Sequence, residues 1–316
     1  MRCPRCQSEV PEELRFCLNC RASLIPKNAY DLSVTDFAYQ PDLDAIVTMN
    51  ATGPLPYVLK NLTLSNLENT MMSKLSAEDH RVTYPCELDT IVRHCAVLLS
   101  IERLPEIFIT EGDELNAFTF GTEDKACLVA DASLLRTLSQ PELIAVIAHE
   151  LGHVKSGHML YHTLAEALGR GISLSGTFLG LDALSIPINL ALLSWHRRSE
   201  VTADRASLLI VNDIQVMQSL LSKLSTVRGK GTISQTETRS TGILESVSHL
   251  FRTHPVHSDR LKLAEQFMAS QEFSRAKRRI EIRQSLLSGL VPTCRFCGES
   301  KPVEKLFCPK CGRCQI

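Results

Sequence analysis

Residues 149–153, His149-Glu150-Leu151-Gly152-His153, decide the fold and the chemistry of this 316-residue chain. Residues four apart on an α-helix share a face, so both imidazoles can reach one metal ion. Glu150 then lies one position along the helix, close to the water that a catalytic zinc activates. The pattern therefore predicts two zinc ligands and a general base on one helix.

The residues around this stretch predict a helix that begins at Ser139 and packs in the core. Ser139 can cap the N-terminus, Pro141 suits a first turn, and Glu142 stands where a capping-box carboxylate belongs. Apolar residues recur at helical spacing through the motif, which indicates a buried stripe. Gly152 is costly inside a helix and predicts the close approach of a neighbouring backbone.

A third ligand decides the class of metal site. The metzincin pattern requires a histidine six residues after His153, and that position holds Met159. His158 and His162 are near in sequence but, at about 100° per residue, point away from the ligand face of the helix. We therefore expect these two histidines to be ordinary polar residues on the outer side.

A carboxylate from a later helix is the thermolysin-type alternative, with two histidines, one glutamate and a water. The segment 198–206 offers it, because Glu200 and Asp204 are four apart and face the same way. Glu200 would bind zinc. Asp204 would hold a ligand imidazole or an arginine by a hydrogen bond.

These blocks resemble the zinc metallopeptidases that include HtpX and the CAAX prenyl proteases, and the resemblance covers roughly residues 36 to 271. It rests on five ordered segments: Leu115-Asn116-Ala117-Phe118 with Gly121, the run 138–143, Ala148 to His153, Ser199-Glu200 with Ala203 to Ala206, and His254-Pro255 with Arg260-Leu261. Several ordered blocks are far more specific than one motif.

The resemblance implies roles for the residues that match. His149, His153 and Glu200 would be the zinc ligands, Glu150 the general base and then acid, and Asp204 an outer partner of the ligands. The implied reaction is hydrolysis of a peptide bond.

The same resemblance implies three further roles. Arg260 would pair with Asp204. Asn116 lies in the strand predicted at Glu114 to Phe120, which in similar enzymes is the edge strand that pairs with an extended peptide while the asparagine holds the peptide. His254 matches a histidine that steadies the oxyanion of the tetrahedral intermediate, although alone a histidine before proline is more often a turn residue.

The two ends of the chain carry the same cysteine module. Each end has two Cys-x-x-Cys pairs with ten residues between them. The pairs are Cys3 and Cys6, Cys17 and Cys20, Cys294 and Cys297, and Cys308 and Cys311. Two such knuckles form a tetrahedral zinc ribbon, although Cys314 could replace Cys311. We expect two structural zinc ions in addition to one catalytic zinc ion.

Composition bounds the partners and the location. A net charge of −1 gives no general attraction to nucleic acid or to anionic lipid. The start of the chain lacks the pattern of a signal peptide, which favours a cytoplasmic protein. Residues 172–195 match a transmembrane region of the resembled family but are broken by Asp182 and Pro187. They predict a short buried hairpin, with a membrane-dipping hairpin as the alternative.

The predicted fold is α+β: a mainly helical zincin-like metallopeptidase core at 31–288, with ribbons at 1–26 and 292–316. A small sheet is expected at 107–109, 114–120 and 127–130, and a Ser-, Thr- and Gly-rich surface loop at 228–242. The predicted function is a zinc metalloendopeptidase that acts on proteins or peptides, with ribbons that recruit substrate or a protein partner. The alternative is a ribbon-based binding protein, for a protein or nucleic acid partner, with a non-catalytic protease-like scaffold.

Overall fold

The structure of the chain is a computed structural model. The structure describes residues 1–51, 86–111, 115–122, 125–159, 161–162, 182–230 and 258–288, and near the C-terminus residues 294, 297, 299 and 307–313. After a 3-10 helix at Val34–Asp36, the elements are α1 Gln40–Ala51, α2 Glu87–Leu98, β1 Glu106–Thr110, β2 Ala117–Thr122, β3 Lys125–Asp131, α3 Ala132–Thr137, α4 Gln140–Lys155, α5 Asp182–Val211, α6 Ile214–Lys230, α7 Ser258–Met268 and α8 Gln271–Leu287. The described part is α+β and mainly helical, as predicted.

The sheet has the order β1-β3-β2, with β1 parallel and β2 antiparallel to β3. Strand β2 is therefore an edge strand, and no other strand of the described residues pairs with its outer side. The sequence predicts its end before Gly121, but the strand continues to Thr122. Gly121 has a φ of +104°, and a Cβ there would lie 2.2 Å from the Lys125 carbonyl oxygen, so this glycine permits the close turn into β3.

Helix α4 carries the His-Glu-x-x-His motif through the centre of the core. The predicted capping box is present: the Glu142 carboxylate accepts the Ser139 N–H at 2.8 Å. Burial acts to raise the pKa of Glu142, but hydrogen bonds from Lys223, Ser139 and Ser219 outweigh it and lower the pKa to about 2. The carboxylate therefore joins the start of α4 to α6.

Gly152 lies where α4 crosses α5. A Cβ at this position would meet the Ala206 Cβ at 2.8 Å and the Ala203 Cα at 3.2 Å. The close approach predicted from the sequence is present, and it brings the ligand face of α4 against the middle of α5.

The N-terminal cysteine module is docked on the core rather than hanging from it. Ser23 donates its N–H to the Glu102 carbonyl at 2.8 Å, and Leu104 donates its N–H to the Arg21 carbonyl at 3.0 Å. Phe16 is 1% exposed and belongs to the central hydrophobic cluster. Residues 1–26 therefore share backbone pairing and apolar packing with the domain that follows.

The segment 172–195 is described from residue 182 onward, where it forms the first part of α5. Residues 172–181 and 231–242 lie outside the described residues, so only the second part of the predicted hairpin and the first three residues of the predicted loop are described. Residues 182–195 are continuous helix, with no break at Pro187. Within the described residues, no helix combines the length and apolar character that crossing a membrane requires.

Candidate metal centre

Helices α4 and α5 bring His149, His153 and Glu200 together in the core. The two Nε2 atoms are 3.2 Å apart, and they lie 3.5 Å and 3.4 Å from the Glu200 carboxylate oxygens. Ligands at about 2.0 to 2.2 Å from a tetrahedral zinc ion are about 3.3 to 3.6 Å from one another. The three donors therefore have the chemistry and the spacing of a two-histidine, one-carboxylate zinc site.

Asp204 and Arg260 lie next to this group and contact His149 and Glu200. Asp204 Oδ1 lies 3.1 Å from His149 Nδ1, and Arg260 donates to both Asp204 oxygens at 2.6 and 2.7 Å. An Arg260 Nη1 atom is also 3.2 Å from a Glu200 oxygen. All of these side chains are buried, so the arginine compensates the charge of two carboxylates that no bulk water reaches.

The environment sets the protonation of the candidate ligands. Burial lowers the pKa of His153 well below its usual range although Glu200 acts against it, so the imidazole is neutral and can donate a lone pair. Burial also acts to lower the pKa of His149, but the Asp204 and Glu200 carboxylates outweigh it and raise the pKa. Burial acts to raise the pKa of Asp204, and Arg260 reverses this, so Asp204 remains a carboxylate.

Glu150 faces the sheet. Its carboxylate accepts a 3.2 Å hydrogen bond from the Thr119 hydroxyl in the middle of β2. Both side chains are buried. Asn116 lies immediately before β2, and its carbonyl accepts the Asp131 N–H at 2.9 Å. The edge strand thus lies beside Glu150, the predicted base, which is the arrangement expected of a cleft between the sheet and α4. Sequence reasoning did not find Thr119, because a threonine in a strand carries no spacing signal.

The prediction for His158 and His162 was wrong. Both are buried: His158 Nδ1 lies 2.9 Å from His153 Nδ1, and His162 Nε2 lies 2.8 Å from the Ser199 hydroxyl. The prediction extended the helix too far. Helix α4 ends at Lys155, and Gly157 has a φ of +69°, so the chain turns and returns both histidines to the site.

His254, the predicted oxyanion contact, lies outside the described residues, as do Pro255 and Cys314. Its role therefore stays a prediction. The other half of the same sequence segment, Arg260-Leu261, is described and lies on α7.

Both cysteine modules form compact clusters of four thiols. The Sγ atoms of Cys3 and Cys20 and of Cys6 and Cys17 are 3.6 Å apart. At the C-terminus, Cys294 and Cys311 are 3.6 Å apart and Cys297 and Cys308 are 3.7 Å apart. Sulfur ligands of a tetrahedral zinc ion are about 3.8 Å apart, so both clusters fit a structural zinc, and the C-terminal cluster is complete with Cys311.

A His-Glu-x-x-His helix, a carboxylate from a crossing helix and an edge strand beside Glu150 are together typical of a metallopeptidase. Residues 86–267, more than half of the chain, match the model of Peptidase family M48, and the chain belongs to this family.

Individual relatives agree with this assignment. The chain is 32% identical over 213 residues to the plastoglobule-localized metallopeptidase 48 of Arabidopsis thaliana, covering 65% of this chain and 60% of that protein. It is 29% identical over 238 residues to protease HtpX of Xylella fastidiosa, covering 62% of this chain and 81% of the relative. A protease HtpX homolog of Streptococcus agalactiae is 26% identical over 208 residues, covering 54% of this chain and 70% of that protein.

Proposed function

We propose that this chain is a zinc metalloendopeptidase that hydrolyses peptide bonds in protein or peptide substrates. The observation that carries the proposal is the convergence of His149, His153 and Glu200 at the separations of zinc ligands, with Glu150 beside them. A bound zinc ion supplies a Lewis acid that polarises the scissile carbonyl and activates a water.

The side chains of the chain supply the proton transfers and the orientation. Glu150 takes a proton from the attacking water and delivers it to the leaving amine. The Thr119 hydroxyl fixes the direction of that carboxylate. Arg260 and Asp204 hold Glu200 and His149 in place.

Substrate binding is assigned to the sheet edge. The outer side of β2 can pair with an extended peptide by backbone hydrogen bonds, with Asn116 at its start holding the peptide. We assign oxyanion stabilisation to His254, as the family resemblance implies. A donor of this kind contributes about 10²- to 10³-fold to the rate.

The cysteine clusters are proposed to bind one structural zinc ion each, which gives three zinc ions per chain. The burial and backbone pairing of the first ribbon support a structural role for it. For both ribbons we also propose recruitment of substrate or of a protein partner. A cytoplasmic location and a membrane contact through 172–195 stay predictions.

Glu150→Gln tests the proposed reaction. Glutamine keeps the size of the side chain but cannot accept the proton, so hydrolysis of an unfolded protein substrate should fall by about 10²-fold or more while the metal stays bound. Metal content by elemental analysis and cleavage by mass spectrometry are the measurements.

The matched control is Glu200→Gln, which removes an anionic ligand and should lose metal as well as activity. A Glu150→Gln variant that cleaves at the parental rate contradicts the assigned base. A parental protein that binds no metal outside the cysteine clusters contradicts the proposal as a whole and supports the scaffold alternative.

A further inference from the structure

The two ligand histidines are held at their outer nitrogens in different ways. His149 Nδ1 lies 3.1 Å from a carboxylate, Asp204, whereas His153 Nδ1 lies 2.9 Å from another imidazole, His158. Two nitrogens bound to one tetrahedral metal ion are about 3.3 Å apart, close to the 3.2 Å between the His149 and His153 Nε2 atoms. The 2.9 Å between the two Nδ1 atoms is a typical hydrogen-bond distance, so His158 acts as a partner of His153 rather than as a fellow ligand.

The hydrogen bond between two Nδ1 atoms fixes both tautomers. A neutral histidine that binds metal through Nε2 carries its proton on Nδ1, so His153 donates and His158 Nδ1 must accept. The proton of a neutral His158 is then on Nε2. That buried atom has no aligned hydrogen-bond partner among the described residues, and Asp42 Oδ2 lies 3.0 Å from it.

Asp42 is itself held rigidly in the core. Trp195 Nε1 donates to Oδ1 at 2.8 Å, and the Thr202 hydroxyl donates to Oδ2 at 2.6 Å. Asp42 and His158 are both 0% exposed. Because each oxygen accepts a hydrogen bond, the orientation of the carboxylate is fixed, and Oδ2 lies on the side of His158.

We propose that Asp42 and His158 form a relay that positions His153 and fixes its tautomer for metal binding. The relay runs from the Asp42 carboxylate to His158 Nε2 and from His158 Nδ1 to His153 Nδ1. It rests on the proposed zinc-binding role of His153. Asp42 lies on α1, upstream of residues 86–267 that match the family, so a segment outside the matched region completes the support of the metal centre.

The relay has a measurable cost when it is cut. His158→Ala leaves the buried Nδ1–H of His153 without its acceptor. Loss of such an outer partner typically lowers metal affinity by about 10- to 100-fold. His158→Asn keeps a short side-chain acceptor near the former Nδ1 but no longer reaches Asp42, so its loss should be no smaller than that of Asp42→Asn and no larger than that of His158→Ala.

The experiment measures the affinity of the histidine–glutamate site for Co²⁺ by chelator competition on the full-length protein. Cobalt bound to thiolates has a sulfur charge-transfer band that cobalt bound to nitrogen and oxygen lacks, so the ribbons are read separately. The variants are His158→Ala, His158→Asn, Asp42→Asn and the double variant His158→Ala/Asp42→Asn. Asp44→Asn, an exposed aspartate on the same helix, is the matched control.

We expect His158→Ala and Asp42→Asn each to weaken cobalt binding by about 10-fold or more, and Asp44→Asn to leave it unchanged. Because the relay is serial, Asp42→Asn should have little further effect when His158 is already alanine. Thermal unfolding of the metal-free variants reports general destabilisation, since a purely structural role for Asp42 would lower that midpoint and add fully in the double variant.

Parental cobalt affinity in His158→Ala, or fully additive losses in the double variant, would overturn the relay. These outcomes differ from failure of the proposed function. In that case the parental protein would itself bind no cobalt at the histidine–glutamate site, and the ribbons alone would show binding.

Discussion

Single hydrogen bonds decide what the side chains at this centre can do. Glu150 could rotate away from the ligand group, but the Thr119 hydroxyl holds one of its oxygens. The Nδ1 atom of His149 contacts the Asp204 carboxylate, and the Nδ1 atom of His153 contacts the His158 imidazole. The motif supplies the reactive groups, and residues from other elements fix their direction.

Thr119→Val tests the orientation of the base. Valine has nearly the shape of threonine but cannot donate, so we expect kcat to fall about 10-fold, equivalent to about 1.4 kcal/mol in the activation free energy. KM and metal content should stay near parental values, because the backbone of β2 is unchanged. Steady-state cleavage of a quenched peptide measures both constants.

Thr119→Ser is the matched control, since it keeps the hydroxyl and loses only the methyl group. It should retain most of the parental kcat. An equal loss in the serine and valine variants would assign the effect to packing and not to the hydrogen bond.

Elements meet at the metal centre because of one close crossing. Helices α4 and α5 approach at Gly152, Ala203 and Ala206, residues with little or no side chain. His149 and His153 lie on one helix and Glu200 on the other, so the depth of this crossing sets the distance from the imidazoles to the carboxylate. Helix packing is thus part of the metal site.

Gly152→Ala should push the two helices apart. The added Cβ would lie 2.8 Å from the Ala206 Cβ, and overpacking of this kind costs about 1 to 3 kcal/mol in the free energy of unfolding. We also expect weaker binding of the catalytic metal, because Glu200 moves away from the histidines. Denaturant unfolding and cobalt titration are the measurements.

Ala206→Gly removes the atom that the new methyl group meets. The double variant Gly152→Ala/Ala206→Gly should therefore recover part of the lost metal affinity, although the new glycine costs about 1 kcal/mol in helix propensity. A double variant that binds metal no better than Gly152→Ala would show that the crossing does not control the site.

At the scale of the whole molecule, the N-terminal cysteine module, the proposed first ribbon, packs as part of the core domain. The sequence suggests two equivalent terminal modules that fold on their own zinc ions. The structure joins residues 15–27 to the segment around 101–105 by backbone pairing, by Phe16 in the central cluster and by the Lys27–Glu102 ion pair. Loss of the metal at this ribbon should therefore reach the protease core.

Cys6→Ser and Cys297→Ser form a matched pair, since each removes the second cysteine of the first knuckle of its ribbon. Each should lower the zinc content by one. We expect Cys6→Ser to lower the midpoint of the main thermal transition by several degrees, because about 1 kcal/mol corresponds to about 2 to 4 °C in a domain of this size. Cys297→Ser should change it little.

Differential scanning calorimetry with parallel zinc analysis measures both effects. If Cys6→Ser loses a zinc ion while the main transition stays at the parental temperature, the first ribbon is an independent module, as the sequence alone suggests. Peptide cleavage measured well below the thermal transition, where each variant is folded, then separates an effect on stability from an effect on the metal site.

The sequence by itself determined the reactive groups, because helical spacing makes His149 and His153 neighbours and a glutamate four residues before Asp204 supplies a matching face. It also predicted a strand at 114–120 and the two cysteine clusters, whose spacing is local. Only the tertiary structure decided the partners of these groups. Thr119, His158 and Asp42 reach the site through an edge strand, a turn after α4 and a separate helix. Contacts between residues far apart in sequence leave no periodic pattern. The directions of His158 and His162 could not be predicted from helical spacing, because the helix ends at Lys155 and the chain then turns.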